Sequence, residues 1–135
     1  MKLTAQIGSK MAENRVEFTV PLVPPSVNHV WNAKRGGGFY KDAAAEAFSD
    51  AVCLLSRHCG RLTGKFYSVD LEFSLARNRF LKFDADNFEK VAFDSLKAAG
   101  IISDDRYIVR HTNIKRVVAS RAEEQTRFVV SLEEI

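Results

Sequence analysis

The sequence has few cysteines, and their spacing is not that of a metal-binding motif. Cys53 and Cys59 are the only two cysteines among 135 residues, so no second pair exists with which they would build a zinc site. We expect both to be reduced thiols, with Cys53 in the core. The three histidines, His29, His58 and His111, are scattered along the chain. This scatter favours structural or solvent-facing histidines over a zinc or acid–base site.

Long hydrophobic runs are also lacking. No window approaches the roughly 18 consecutive apolar residues that a membrane-spanning helix needs. The first residues, MKLTAQIGSKMAEN, contain no apolar run of signal-peptide length. We therefore expect a cytoplasmic protein without a membrane association. The glycines Gly36–Gly38 are not followed by the Gly-Lys-Ser/Thr of a phosphate-binding loop, so we expect no nucleotide cofactor.

Charge of one sign is only slightly in excess. There are 20 Lys and Arg against 17 Asp and Glu, a formal net charge of +3 and a pI of about 9.0. This balance favours anionic partners but is too small to diagnose nucleic-acid binding. With 46% hydrophobic and 27% charged residues, the composition is typical of one soluble domain with a single core. It excludes a disordered tail, a collagen and a two-domain enzyme.

Hydrophobic periodicity predicts four strands and two helices. The strands are expected at 15–20, 66–76, 106–118 and 126–132, and the helices at 43–59 and 87–99. Asp42 is the expected N-cap of the first helix, whose apolar face is predicted to consist of Ala44, Phe48, Ala51 and Leu55. The basic segment RNRFLK, residues 77–82, is interpreted as a connector between elements.

The predicted order β-α-β-α-β-β indicates an α+β fold. We expect a two-layer α/β domain with a mixed four-stranded sheet and the helices on one face. The domain is expected to comprise residues 15–135, after a loosely ordered N-terminal segment, residues 1–14.

The segment 82–105 carries the most informative chemistry. Its site candidates are Asp84, Asp86, Asn87 and Lys90 at the start of the second helix, and Asp104 and Asp105 after its end. Mg²⁺ prefers oxygen ligands and keeps several waters, so a carboxylate cluster of this kind suits phosphodiester chemistry. The spacing has a second explanation. Asp86 as N-cap with Glu89 would complete a capping box, and Lys90 would form an ordinary surface pair with Asp86.

The segment DADNFEKVAFDSLKAAGIISDD resembles the active-site signature of the RusA family of Holliday junction resolvases. That signature is Asp-x-Asp-Asn-x-x-Lys, then a helix with a Phe-Asp pair, a Gly and an Asp-Asp; here it runs from Asp84 to Asp105. The upstream VPPSVNHVW resembles the family's Pro-Pro-Ser-x-Asn segment, with Pro24, Pro25, Ser26, Asn28 and Trp31. The resemblance covers roughly residues 15–133. It departs from the family at Phe83, where members often have Arg or Lys.

The resemblance implies a role for each matched residue. Asp84, Asp86 and Asp105 would be the catalytic carboxylates that coordinate Mg²⁺, with Mn²⁺ as a substitute. Lys90 would be the essential lysine near the scissile phosphate, and Asn87 and Asp104 would be supporting residues. The implied activity is Mg²⁺-dependent resolution of Holliday junctions by paired symmetric nicks, in DNA recombination and repair, by a homodimer.

Four-way junction DNA is the partner that follows from this resemblance, and its backbone would be bound by basic side chains. The candidates are Lys34, Arg35, Arg77, Arg79 and Lys82, with Arg110, Lys115 and Arg116 as further ones. Without the site candidates Asp84, Asp86, Asp104 and Asp105, the chain has 13 acidic residues against 20 basic ones. Two other functions stay open: a catalytically silent branched-DNA-binding module, and a Mg²⁺-dependent enzyme on a small phosphorylated substrate.

Overall fold

The computed structural model describes residues 14–25, 31–33, 39–62 and 64–135. Most of the predicted N-terminal segment, and the candidates Ser26, Asn28, Lys34 and Arg35, lie outside these residues. None of the helices in the described ranges is long and apolar enough to cross a bilayer.

The described elements follow the predicted order. The strands are β1 (Arg15–Val20), β2 (Trp31–Ala33), β3 (Phe39–Lys41), β4 (Phe66–Ala76), β5 (Ile108–Val118) and β6 (Gln125–Glu133). The helices are α1 (Ala43–Leu55), α2 (Arg77–Lys82) and α3 (Asp86–Ala98), with short 3₁₀ turns at Arg57–Cys59, Asp105–Tyr107 and Arg121–Glu123. All four predicted strands are present, and β4 has the predicted bounds. The short strands β2 and β3 form a separate antiparallel pair that the periodicity did not indicate.

The main sheet has the strand order β1-β6-β4-β5. β4 and β5 are parallel, and the other two pairs are antiparallel. The prediction of a mixed four-stranded sheet in an α+β fold is therefore confirmed. Parallel neighbours need a crossover connection, and the chain between β4 and β5 supplies it with α2 and α3. The active-site candidates of segment 82–105 lie on this crossover.

The core fills the space between the sheet and the helices α1 and α3. The predicted inward residues of β1 and β4 are buried: Val16, Phe18, Val20, Val69, Leu71, Phe73 and Leu75. Phe18 stacks on Phe128 of β6 with the ring centroids 4.7 Å apart, and α1 packs against α3. Offset aromatic stacking of this kind adds to the stabilisation that apolar burial provides.

Three sequence-based predictions about the helices are wrong. Cys53 of α1, expected in the core, is only half-buried, and it is Cys59 that is buried. The buried face of α1 consists of Ala45, Phe48 and Val52, whereas Leu55 is 38% exposed. Alanine and leucine side chains occur on nearly every side of this helix, so its periodicity fixes the helix but not its rotation. Residues 77–82 form the helix α2 rather than a connector. Contacts from Lys115 and Glu124, both distant from α2 in the sequence, hold this helix.

Candidate active site

The segment that carries Asp84 is anchored by aromatic side chains on both of its sides. The Phe83 ring meets the Phe88 ring edge-on at 5.7 Å, and Phe88 in turn packs on Phe73 of β4 at 5.3 Å. The backbone N–H of Asn87 donates to the Asp84 carbonyl at 3.1 Å, which starts the turn into α3. Both Asp84 and Asp86 are exposed. The packing thus presents two carboxylates to solvent from a fixed backbone.

Lys115 of β5 fixes the same segment from the sheet side. Its Nζ donates to the carbonyl of Phe80 at 2.7 Å and to that of Phe83 at 2.8 Å, and it lies 4.4 Å from the Phe80 ring centroid. A charged donor makes a stronger hydrogen bond than a neutral one. Lys115 therefore joins the last turn of α2, and the residue before Asp84, to the edge strand of the sheet.

The capping box expected at Asp86 does not form. Helix α3 begins at Asp86, its N-cap is Ala85, and no side-chain hydrogen bond caps it. Ala85 has helical dihedrals, φ −60° and ψ −36°, whereas a capping residue normally has an extended backbone. Glu89 instead accepts a hydrogen bond from Asn113 Nδ2 at 2.6 Å and lies 3.0 Å from His111 Nδ1. Capping therefore does not account for the acidic residues at this helix start.

Lys90 links α3 to Asp105, which follows the helix. Its Nζ lies 3.0 Å from Asp94 Oδ1 and 3.7 Å from Asp105 Oδ2. The hydrogen bond to Asp94 raises the pKa of Lys90 above its ordinary value, and the charges of Asp94 and Asp105 act in the same direction. The Lys90 side chain is 57% exposed. It thus holds a positive charge at the surface between two acidic groups.

Asp104 shapes the turn that presents Asp105. The Asp104 carboxylate accepts a hydrogen bond from the Arg106 backbone N–H at 3.3 Å and lies 3.5 Å from Lys97 Nζ. That backbone hydrogen bond is the main reason why the pKa of Asp104 lies below its ordinary value, and the Asp105 side chain and the Lys97 charge lower it further. Lys97 and Lys90 thus tie both aspartates to one face of α3.

The donor chemistry of these residues fits a hard divalent cation, although the side chains do not converge on one point. Within the described ranges, no three His, Cys, Asp or Glu side chains are close enough together to hold a metal ion. Mg²⁺ is usually bound by only one or two carboxylates, with waters and substrate phosphates completing its coordination. Exposed carboxylates such as Asp84 and Asp86 meet that requirement.

The predicted DNA-binding residues of α2 differ in their exposure and in the groups that their charges contact. Arg77 and Lys82 are exposed, and Lys82 Nζ lies 5.3 Å from the Phe83 ring centroid. The Arg79 side chain is only 23% exposed, and its Nε lies 3.2 Å from the buried carboxylate of Glu124. Glu124 also accepts a hydrogen bond from the Ala76 N–H at 2.8 Å, at the start of α2. Arg79 and Glu124 therefore also hold α2 in place.

The further basic candidates on β5 have partners. Arg110 lies 3.1 Å from Glu133, and Arg116 lies 3.0 Å from Glu72, while Lys115 binds the carbonyls described above. Carboxylate partners partly neutralise the two arginines, so their charge is less available to an anion.

A row of polar residues on β5 lies against α3 and is not among the sequence-based predictions. His111, Asn113 and Lys115 pair in register with core residues of β4, so they face the helices rather than the open side of the sheet. The His111 ring also contacts the Phe93 ring at 5.5 Å. Three polar residues at a spacing of two, within a predicted strand, are the signal that indicates such a row.

Comparison with known proteins shows the family of the chain. The protein-family model described as Endodeoxyribonuclease RusA matches residues 21–133. Two proteins named Crossover junction endodeoxyribonuclease RusA, from Escherichia coli strains E24377A and K12, are each 29% identical to this chain over 105 residues. The alignments cover 78% of this chain and 86% of each relative. The chain belongs to the RusA family of endodeoxyribonucleases.

Proposed function

We propose that this chain is a Mg²⁺-dependent, structure-selective endodeoxyribonuclease that resolves Holliday junctions by paired symmetric nicks in DNA recombination and repair. Its similarity to proteins named crossover junction endodeoxyribonucleases supports the substrate. The observation that carries the proposal is the contact between Lys90 and Asp105, at 3.7 Å. It brings the acidic turn after α3 to the helix face that begins with Asp86.

Asp84, Asp86 and Asp105 are the residues that would hold Mg²⁺, with Mn²⁺ as a substitute. When bound, such an ion activates a water molecule and stabilises the charge that develops on the attacked phosphate. Asp84 and Asp86 lie before and at the first turn of α3. Asn87 and Asp104 support the two ends of the site. The Asn87 backbone N–H closes the turn at the start of α3, and the Asp104 carboxylate closes the turn after the helix.

Lys90 would bind a non-bridging oxygen of the scissile phosphate. Lysine is protonated at neutral pH, and the hydrogen bond to Asp94 raises the pKa of Lys90 further. Its present partners, Asp94 and Asp105, are surface carboxylates, and exposed ion pairs of this kind contribute only about 0–1 kcal/mol. Exchanging such a partner for a phosphate therefore costs little. A fixed positive charge near the reacting phosphate stabilises the transition state more than the ground state.

The substrate would be recognised by its shape through the phosphate backbone. Arg77, Arg79 and Lys82 precede Asp84 closely in the sequence, and Arg77 and Lys82 are more exposed than Arg79. Lys34 and Arg35, outside the described residues, would add to this surface. One chain contains one such carboxylate set, so two symmetric nicks require two chains. We therefore propose a homodimer that acts on four-way junction DNA in the cytoplasm, with no nucleotide cofactor and no membrane.

The proposal is tested with the substitutions Asp84→Asn and Asp86→Asn, which keep side-chain size but remove the charge. Each should abolish cleavage of a synthetic four-way junction and weaken Mg²⁺ or Mn²⁺ binding measured by calorimetry. Junction binding in chelator should persist or tighten, because the acidic charge near the phosphates is removed. The matched control is Asp70→Asn, an exposed carboxylate on the opposite face of the sheet that accepts a hydrogen bond from Thr112.

Retained cleavage by both Asn variants would refute the assignment of the site. Junction binding without cleavage by the unmodified protein would indicate a DNA-binding module. Hydrolysis of small phosphate substrates without junction cleavage would indicate the small-molecule enzyme.

A further inference from the structure

A cluster of two cations and two aromatic rings lies at the end of the sheet next to Asp105. It consists of Lys65 and Phe66 at the start of β4, and of Arg106 and Tyr107 before β5. The parallel register pairs Tyr67 with Ile108, which places the two preceding dipeptides side by side. The Phe66 and Tyr107 rings meet edge-on, 6.1 Å apart at an interplanar angle of 78°.

Both cations of this cluster lie near aromatic rings. Lys65 Nζ is 5.5 Å from the Phe66 ring centroid and 5.6 Å from that of Tyr107, and Arg106 Cζ is 5.1 Å from the Tyr107 centroid. An aromatic ring attracts a cation through its quadrupole and carries no net charge of its own. The rings thus restrain the two side chains without neutralising them.

This arrangement differs from that of several other arginines among the described residues. Arg15, Arg116 and Arg127 each lie within 3.3 Å of a carboxylate oxygen. Arg106 approaches a carboxylate only at 4.0 Å, to Asp104, and its side chain is 72% exposed. The cluster therefore presents more available positive charge than those paired arginines do.

The cluster lies on the side of the proposed active site opposite to α2. Helix α3 begins beside α2 with Asp86 and is about 20 Å long. The chain then turns back, so that Asp104 meets Lys97 and Asp105 meets Lys90. Arg106 directly follows. The acidic face of α3 thus has the basic helix α2 at one end and this cluster at the other.

We propose that Lys65 and Arg106 bind backbone phosphates of the DNA on the side of the active site away from α2. Tyr107 and Phe66 act as positioning residues that hold the two cations over their rings. A strand crossing the site would then contact positive charge on both flanks, with the acidic face between them. This inference rests on the proposed nuclease function and adds to it a second binding surface.

The test measures junction binding by fluorescence anisotropy in chelator, so that no cleavage intervenes. The double variant Lys65→Gln/Arg106→Gln should reduce the slope of log K against log salt by about 0.9 for each phosphate that the protein no longer neutralises. Relative to 1 M salt, where the two proteins would bind equally, two such phosphates correspond to an affinity about 60-fold lower at 0.1 M salt. The matched control Arg15→Gln/Arg127→Gln removes the same charge, but both of its arginines lie within 3.3 Å of a Glu17 carboxylate oxygen. It should leave the slope nearly unchanged.

A second variant separates positioning from simple charge. Tyr107→Leu keeps both cations but removes the ring, so it should weaken binding several-fold with little change in the salt slope. An unchanged slope and affinity in Lys65→Gln/Arg106→Gln, in a protein that still nicks junctions, would overturn this inference alone. Equal reductions in the matched control would overturn it too, because only net charge would matter. If the unmodified protein neither binds nor nicks the junction, the proposed function itself fails.

Discussion

Replacing Lys115 by Met should both destabilise the fold and impair the proposed active site. The substitution removes two hydrogen bonds, at 2.7 and 2.8 Å, from a charged donor to the carbonyls of Phe80 and Phe83. Such bonds are worth about 1.5–3 kcal/mol each, but the half-buried site lets water replace part of that stabilisation. Methionine also avoids the cost of desolvating an ammonium group. We therefore expect a net destabilisation of about 2 kcal/mol.

For a domain of this length, that destabilisation corresponds to a fall in Tm of about 6 °C. Circular dichroism melts and urea titrations measure it. The control Arg116→Met removes an exposed ion pair with Glu72 from the other face of the same strand and should cost less than about 1 kcal/mol. Because Phe83 directly precedes Asp84, Lys115→Met should also lower the rate of junction cleavage at saturating DNA. An unchanged Tm together with an unchanged rate would refute the anchoring role of Lys115.

Three further predictions concern other contacts. Glu124→Gln should cost about 2 kcal/mol in urea unfolding, because it leaves the largely buried Arg79 without its charged partner; a cost near zero would contradict this. Burial raises the pKa of the Cys59 thiol. This thiol should therefore react with a thiol reagent at pH 8 far more slowly in the folded chain than in the urea-unfolded chain. Equal rates would contradict its burial. Lys90→Met should abolish cleavage yet cost less than about 1 kcal/mol at pH 7. The contacts of Lys90 in the folded protein raise its pKa. The small stabilisation that they provide is therefore present below pH 10 and disappears as the pH rises above 10.5. Thermal melts of the unmodified protein and of Lys90→Met across this pH range measure it.

The elements that the sequence predicted well are those with strong local signals. Strand β4 was predicted with its observed bounds because apolar residues alternate along its whole length. Helix α1 was predicted, but not its rotation, since apolar residues occur around most of its circumference. Helix α2 was missed because it is only six residues long and no side chain caps its start. The groups that hold it, Lys115 and Glu124, are more than 30 residues away along the chain.

The candidate site shows the same division. The candidate residues from Asp84 to Asp105 could be named from the sequence because they lie within one continuous segment that resembles a family signature; their roles stay a prediction. The capping box at Asp86 and Glu89 was a reasonable local prediction, but it failed because Glu89 finds its partners on β5. Local sequence cannot reveal a tertiary partner that competes for a side chain. The cluster of Lys65 and Arg106 arises in the same way, from the parallel register of two strands.

The most direct test is incubation of the purified protein with a synthetic four-way junction and, separately, with a linear duplex of matched sequence, in Mg²⁺ or in chelator. We predict paired nicks placed symmetrically about the branch point, only in the junction and only with the metal. Nicking of the linear duplex at the same rate, or cleavage that persists in chelator, would contradict the account.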